Sequence, residues 1–151
     1  MKILTDSSAL AKRYVLEEGS DKIDQCLQNA SQLGVCTILI PEIISALNRR
    51  RREHVLSADD YRIIKKQLME DVHDAVVLQI TLAVISRSVN LLETNALRAM
   101  DAMHIACALE WQADIFVTAD RRQYQAAKNA GLLSEFIGQQ LFSVDTSAPL
   151  P

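Results

Sequence analysis

The feature that most constrains this chain is its alternation of short apolar runs with helix-forming segments. Residues 2–5, Val35–Leu39, Ala75–Ile80 and Ile115–Thr118 are short, β-prone and largely apolar on both faces. Such runs suit strands covered on both sides, because a half-exposed strand alternates apolar and polar residues. The segments between them carry helical signals. Pro41 suits a first helical position, Ser57-x-x-Asp60 resembles a capping box, and Ile64, Leu68 and Val72 form an i, i+4, i+8 stripe. Strand–helix alternation predicts an α/β domain with a mainly parallel sheet of four to five short strands and helices on both sides.

More local expectations follow. Ser7 or Ser8 caps a helix through Leu10–Tyr14, and Ser20 caps one to about Ala30. Gly34 ends the next connection. Thr81 caps a helix with Val84, Val89 and Leu92 available for burial, and another helix runs from about Ala99 to Trp111. Gly131 closes a helix from Arg121, and Leu141–Val144 reads as a last strand. One domain over 1–145 and a short tail over 146–151 accommodate the whole chain.

With 151 residues, 49% of them apolar, the chain can bury a core without disulfides. Cys26, Cys36 and Cys107 have no paired spacing and read as buried thiols. Asp6 interrupts the region where a signal peptide needs apolar residues, and the stretch around Ala75–Ser86 is too short to span a bilayer. The reading is therefore cytoplasmic, with no membrane partner. Four glycines leave no room for a phosphate-binding glycine loop. A phosphoacceptor domain needs an acceptor Asp ending the third strand, where this chain has Ile80-Thr81.

Four carboxylates stand at strand–helix junctions rather than on solvated helix faces. Asp6 and Asp120 follow apolar runs, and Glu42 and Asp101 fall near helix starts. In parallel α/β sheets the carboxyl ends of the strands share one rim, where ligands bind. Two carboxylates about 4 Å apart repel by roughly 4 kcal/mol at an effective dielectric of about 20. Several such pairs rival a domain's whole stability of about 5–15 kcal/mol. Unless protonated, such a cluster calls for a cation, and all-oxygen donors select Mg²⁺ or Mn²⁺. That combination suits phosphodiester hydrolysis.

The runs Asp6-Ser7-Ser8-Ala9-Leu10-Ala11-Lys12-Arg13-Tyr14, Pro41-Glu42-Ile43-Ile44-Ser45-Ala46-Leu47, Leu97-Arg98-Ala99-Met100-Asp101-Ala102-Met103-His104-Ile105-Ala106 and Phe116-Val117-Thr118-Ala119-Asp120-Arg121-Arg122 occur in that order. Together they resemble the four acidic motifs of PIN-domain ribonucleases, especially VapC-type toxins, over roughly residues 1–133. Thr5 stands where many members carry an apolar residue. The resemblance implies a PIN-like fold and a Mg²⁺- or Mn²⁺-dependent endoribonuclease, the toxin of a toxin–antitoxin pair. It would hydrolyse RNA phosphodiester bonds with a metal-activated water. Asp6, Glu42, Asp101 and Asp120 would be the catalytic and metal-binding quartet. It further implies a homodimer and a cognate antitoxin. The alternative is a catalytically weak PIN-fold protein that binds RNA or an antitoxin.

Further residues enter as candidates. Ser8 and Thr118 lie beside two of the acids and have hydroxyls able to support a carboxylate or a water. Arg49 and Arg50, within the block Arg49–Arg52, are candidate RNA contacts. His104 shares a helix face with Asp101, and its apolar neighbours favour a hydrogen-bonded structural histidine over a metal ligand.

Overall fold

A computed structural model describes residues 1–138. The expected strand at 141–144 and the tail at 146–151 lie outside the described residues. Five strands, β1 (Lys2–Thr5), β2 (Gln32–Cys36), β3 (Val76–Leu78), β4 (Ile115–Thr118) and β5 (Ser134–Phe136), form one sheet in the order β3-β2-β1-β4-β5. Every neighbouring pair is parallel. Seven helices among the described residues join them: α1 (Ser7–Tyr14), α2 (Ser20–Gln28), α3 (Leu39–Arg52), α4 (Ala58–Asp74), α5 (Leu82–Thr94), α6 (Ala99–Trp111) and α7 (Arg121–Asn129).

Successive strand residues point to opposite faces, and the core divides accordingly. Leu4, Cys36 and Phe116 face a layer built from Val84 and Leu91 of α5, Ala102, Ile105 and Ala106 of α6, and Ala126 and Ala127 of α7. Ile3, Val35 and Val117 face the other way, toward α1, α2, α3 and α4. The expected stripe Ile64, Leu68, Val72 is buried on α4 against Ile43 and Leu47. Both faces of the sheet are thus covered, which is why its strands read as unbroken apolar runs.

Several local expectations are corrected. Asp6, not Ser7 or Ser8, caps α1, accepting from the backbone N–H of Ala9 at 2.9 Å. Gly19, in a left-handed conformation at φ 96°, precedes α2, and Ser20 is its first residue. Gly34 lies inside β2 rather than in the connection, and a Cβ there would stand 2.5 Å from the ring of Trp111. The missing side chain lets α6 pack onto the sheet. α3 begins at Leu39, two residues before Pro41, still with Glu42 in its first turn. On α5, Val84, Ser88 and Leu91 are buried, whereas Val89 and Leu92 are exposed. Thr81 does cap that helix, through the N–H of Val84.

Candidate active site

The chain runs β1 to β3 in one direction across the sheet, then returns to place β4 on the other side of β1. That reversal opens a crevice at the carboxyl ends of β1 and β4, the place where parallel α/β sheets bind ligands. Asp6 follows β1 directly, and Asp120 follows β4 by two residues. Each is the N-cap of the next helix: Asp120 accepts from the N–H of Gln123 at 2.9 Å, as Asp6 does from Ala9. Glu42 and Asp101 fall in the first turns of α3 and α6. All four acids therefore stand at helix N-termini, where the helix dipole favours negative charge by about 0.3–1 kcal/mol each.

The four line one cavity of about 250 Å³, together with Ser7, Ser8, Arg98, His104 and Gln123. A larger cavity, about 360 Å³, opens beside Arg13, Tyr14, Asp24 and Asp71. There three carboxylates, those of Asp24, Glu70 and Asp71, face one arginine. Arg13 pairs with Asp24 at 2.8 Å and Asp71 at 2.9 Å, and Tyr14 donates to Asp71 at 2.6 Å. The smaller cavity gathers four carboxylates, from four separate segments of the chain.

Within it the carboxylates differ. Asp6 is buried on the floor, and both of its oxygens accept from Ser8 Oγ, at 2.9 and 2.8 Å. Thr118 Oγ1 donates to Asp6 Oδ2 at 2.8 Å. Burial pushes the Asp6 carboxyl above the ordinary carboxylate range, against the charge of His104 and these hydrogen bonds, which pull it down. Asp101 is also raised, first by burial and then by the charges of Asp120 and Asp6. Glu42 behaves differently. Burial raises it, but the bond and charge of His104 and the Ser7 hydroxyl outweigh burial and hold it below the ordinary range. His104 is shifted up by the same contact, against burial, which lowers it.

Ser8 and Thr118 are thus hydroxyl donors to the Asp6 carboxylate. Arg49 and Arg50 are not in the acidic cavity. They line an adjoining one of about 370 Å³ with Ala46, Glu53 and Val55, and Ala46 borders both. Three residues escaped sequence reasoning. Ser7 donates to Glu42 Oε1 at 2.8 Å. Arg98 lies on the rim. Gln123, 3% exposed, donates from Nε2 to Asp101 Oδ1 at 3.1 Å, while its Oε1 is buried without a hydrogen-bond partner among the described residues. The signal for Gln123 was its position, a polar residue on the buried face of α7 one turn after Asp120.

The donor set fits a hard divalent cation in chemistry: carboxylate oxygens under mutual repulsion, in a cavity large enough for a hydrated ion. Among the described residues, no three His, Cys, Asp or Glu side chains stand in a ready-made metal cage. The arrangement suits an ion that keeps several waters, as Mg²⁺ does when one or two carboxylates hold it.

The fold and this cavity define a class: a parallel α/β domain with an acidic pocket at the point where the strand order reverses. The PIN domain family model matches residues 3–129, and the chain belongs to that family. No curated protein matches it in sequence. Solved structures share its fold. VapC20 of Mycobacterium tuberculosis, described as a sarcin–ricin-loop-cleaving toxin, aligns over 87% of this chain and 96% of its own, at 13% identity and a TM-score of 0.65. PAE2754 of Pyrobaculum aerophilum aligns over 89% and 83%, at 20% identity and 0.64. A DNA-bound VapBC from Salmonella typhimurium aligns over 90% and 98%, at 13% identity and 0.65. Among the described residues, no helix is long and apolar enough to cross a membrane.

Proposed function

We propose that this chain is a Mg²⁺- or Mn²⁺-dependent endoribonuclease, the toxin of a toxin–antitoxin pair. One observation carries the reading: four carboxylates from four separate segments line a single cavity at the sheet's reversal point, in a chain of the PIN domain family. Similar folds named as toxins and as toxin–antitoxin complexes support an antitoxin partner, and a homodimer is part of the same proposal.

A divalent cation bound here would neutralise charge on a phosphoryl group and acidify a water. The chain's own contribution is placement. Asp101 and Asp120, both contacted by Gln123, offer oxygens from one side of the cavity. Asp6 offers its oxygens from the floor, where Ser8 and Thr118 orient them. Glu42 adds a carboxylate from α3. Arg98 at the rim, and Arg49 and Arg50 in the adjoining cavity, supply positive charge for the RNA backbone.

A second reading is a catalytically weak protein that binds RNA or an antitoxin. Purified protein incubated with total RNA separates the two. Cleavage in Mg²⁺, its loss in EDTA and its loss in Asp6→Asn are expected of the nuclease. Intact RNA in Mg²⁺ and in Mn²⁺ leaves the binding protein.

A further inference from the structure

His104 is the most deeply buried ionisable side chain of the cavity wall after Asp6, at 1% exposure, and the proposed chemistry gives it no task. It projects from α6 one turn beyond Asp101, yet its contact is with α3. Nε2 stands 2.6 Å from Glu42 Oε1. Ser7 Oγ donates to the same Oε1 at 2.8 Å and lies 3.3 Å from the ring nitrogen. Both donors converge on one oxygen, and no donor among the described residues reaches Oε2. The other ring nitrogen, Nδ1, is enclosed and has no hydrogen-bond partner among the described residues.

This geometry excludes His104 as a cation ligand, since one nitrogen is taken up by Glu42 and the other is sealed in the core. It also separates His104 from a histidine that serves packing alone. Its polar contacts are concentrated on one carboxylate, through a bond short enough to be charge-assisted. A glutamate has three rotatable bonds, and near a cluster of like charge it would swing toward solvent. A fixed Nε2–H and a serine hydroxyl on one oxygen remove that freedom.

We propose that His104, with Ser7, is a positioning residue. It commits Glu42 Oε1 to the protein and leaves Oε2 as the single oxygen with which Glu42 serves a cation in the cavity. The inference rests on the metal-dependent reading of the site. Groups that orient a metal's ligands typically change its affinity about 10–100-fold when removed.

The test is Mn²⁺ affinity by titration calorimetry on the full chain. Four proteins are compared with wild type: His104→Leu, His104→Gln, Glu42→Gln, and His104→Leu combined with Glu42→Gln. The glutamine amide can place a nitrogen near the position of Nε2. The expected results are about 10–100-fold weaker binding in His104→Leu and recovery of most of that loss in His104→Gln. In the Glu42→Gln background, His104→Leu should add less than about twofold, because the two act as one unit. An unchanged dissociation constant in His104→Leu, or losses that multiply in the double variant, overturns the proposal. Should His104→Leu not fold, Ser7→Ala and His104→Gln carry the test. Several-fold weakening in Ser7→Ala supports it, and an unchanged constant in Ser7→Ala overturns it. Wild-type protein that takes up no Mn²⁺ removes the metal-dependent reading and this inference with it. Wild-type binding with unaffected variants removes the inference alone.

Discussion

The hydroxyl of Thr118 donates to Oδ2 of Asp6 at 2.8 Å, joining the end of β4 to the end of β1 across 112 positions of sequence. Both side chains are fully buried. The bond lies at the point where the strand order reverses, so it supports the fold and the acidic cavity together. A hydrogen bond to a buried ionisable group contributes about 1.5–3 kcal/mol. Thr118→Val should therefore lower unfolding free energy by about that amount, and Thr118→Ser should recover most of it. Urea unfolding without divalent cations measures both, and equal stability of wild type and Thr118→Val would refute the assignment.

Gln123 makes a different kind of bridge. Its side chain holds Asp101 and its backbone N–H holds Asp120, while Oε1 is buried without a partner among the described residues. Gln123→Leu removes a favourable bond and an unfavourable buried oxygen at once, so stability should change by less than about 1 kcal/mol. Asp101 would lose its anchor, and Mn²⁺ affinity should fall about tenfold or more. Calorimetric titration alongside thermal unfolding separates the two effects.

The acids also set a pH dependence. Burial raises Asp6 and Asp101 above their ordinary value of 3.8, and for Asp101 the charges of Asp120 and Asp6 add to it. A raised folded-state value means that the folded chain keeps protons that the unfolded chain has released. The associated stability is complete below the unfolded value and is lost as pH rises through the folded value. Asp101→Asn cannot undergo that loss. In EDTA, its stability relative to wild type should climb as pH rises from 3.8 through the raised value and then level off. Denaturant titrations at a series of pH values read this directly, and a difference independent of pH would contradict it.

Arg49 and Arg50 border the acidic cavity through Ala46. If RNA leaves the cavity along that side, each phosphate that an arginine no longer neutralises should reduce the salt slope of binding by about 0.7, the value for single strands. An Arg49→Ala, Arg50→Ala double variant, with cleavage blocked by Asp6→Asn, should show a flatter slope in a filter-binding or fluorescence titration. An unchanged slope places the RNA elsewhere.

Some of this was legible in the residues and some was not. β1 and β4 could be read because both of their faces are covered, which leaves an apolar run that ends abruptly at a carboxylate. β5 could not, because Ser134-Glu135-Phe136 has a single apolar residue. Its register comes from β4, whose Phe116 N–H reaches Leu133 O and whose Thr118 O accepts from Ile137 N–H. Gly34 read as a break because glycine weakens isolated strands. Inside the fold it is the residue that admits the ring of Trp111.

The sequence by itself determined the layers, the parallel sheet and the junction placement of the four acids, because periodicity and junction position are local properties of a chain. It also marked Ser8 and Thr118 as neighbours of those acids. Only the tertiary structure decided what each carboxylate touches. Asp6 is bound on the floor by Ser8 and Thr118, Asp101 is held by Gln123, and Glu42 is held through one oxygen by Ser7 and His104. The physical reason is distance along the chain. Glu42 and His104 are 62 positions apart, and they meet because α3 and α6 converge at the carboxyl edge of one sheet. No local pattern encodes that meeting; the packing of both helices does.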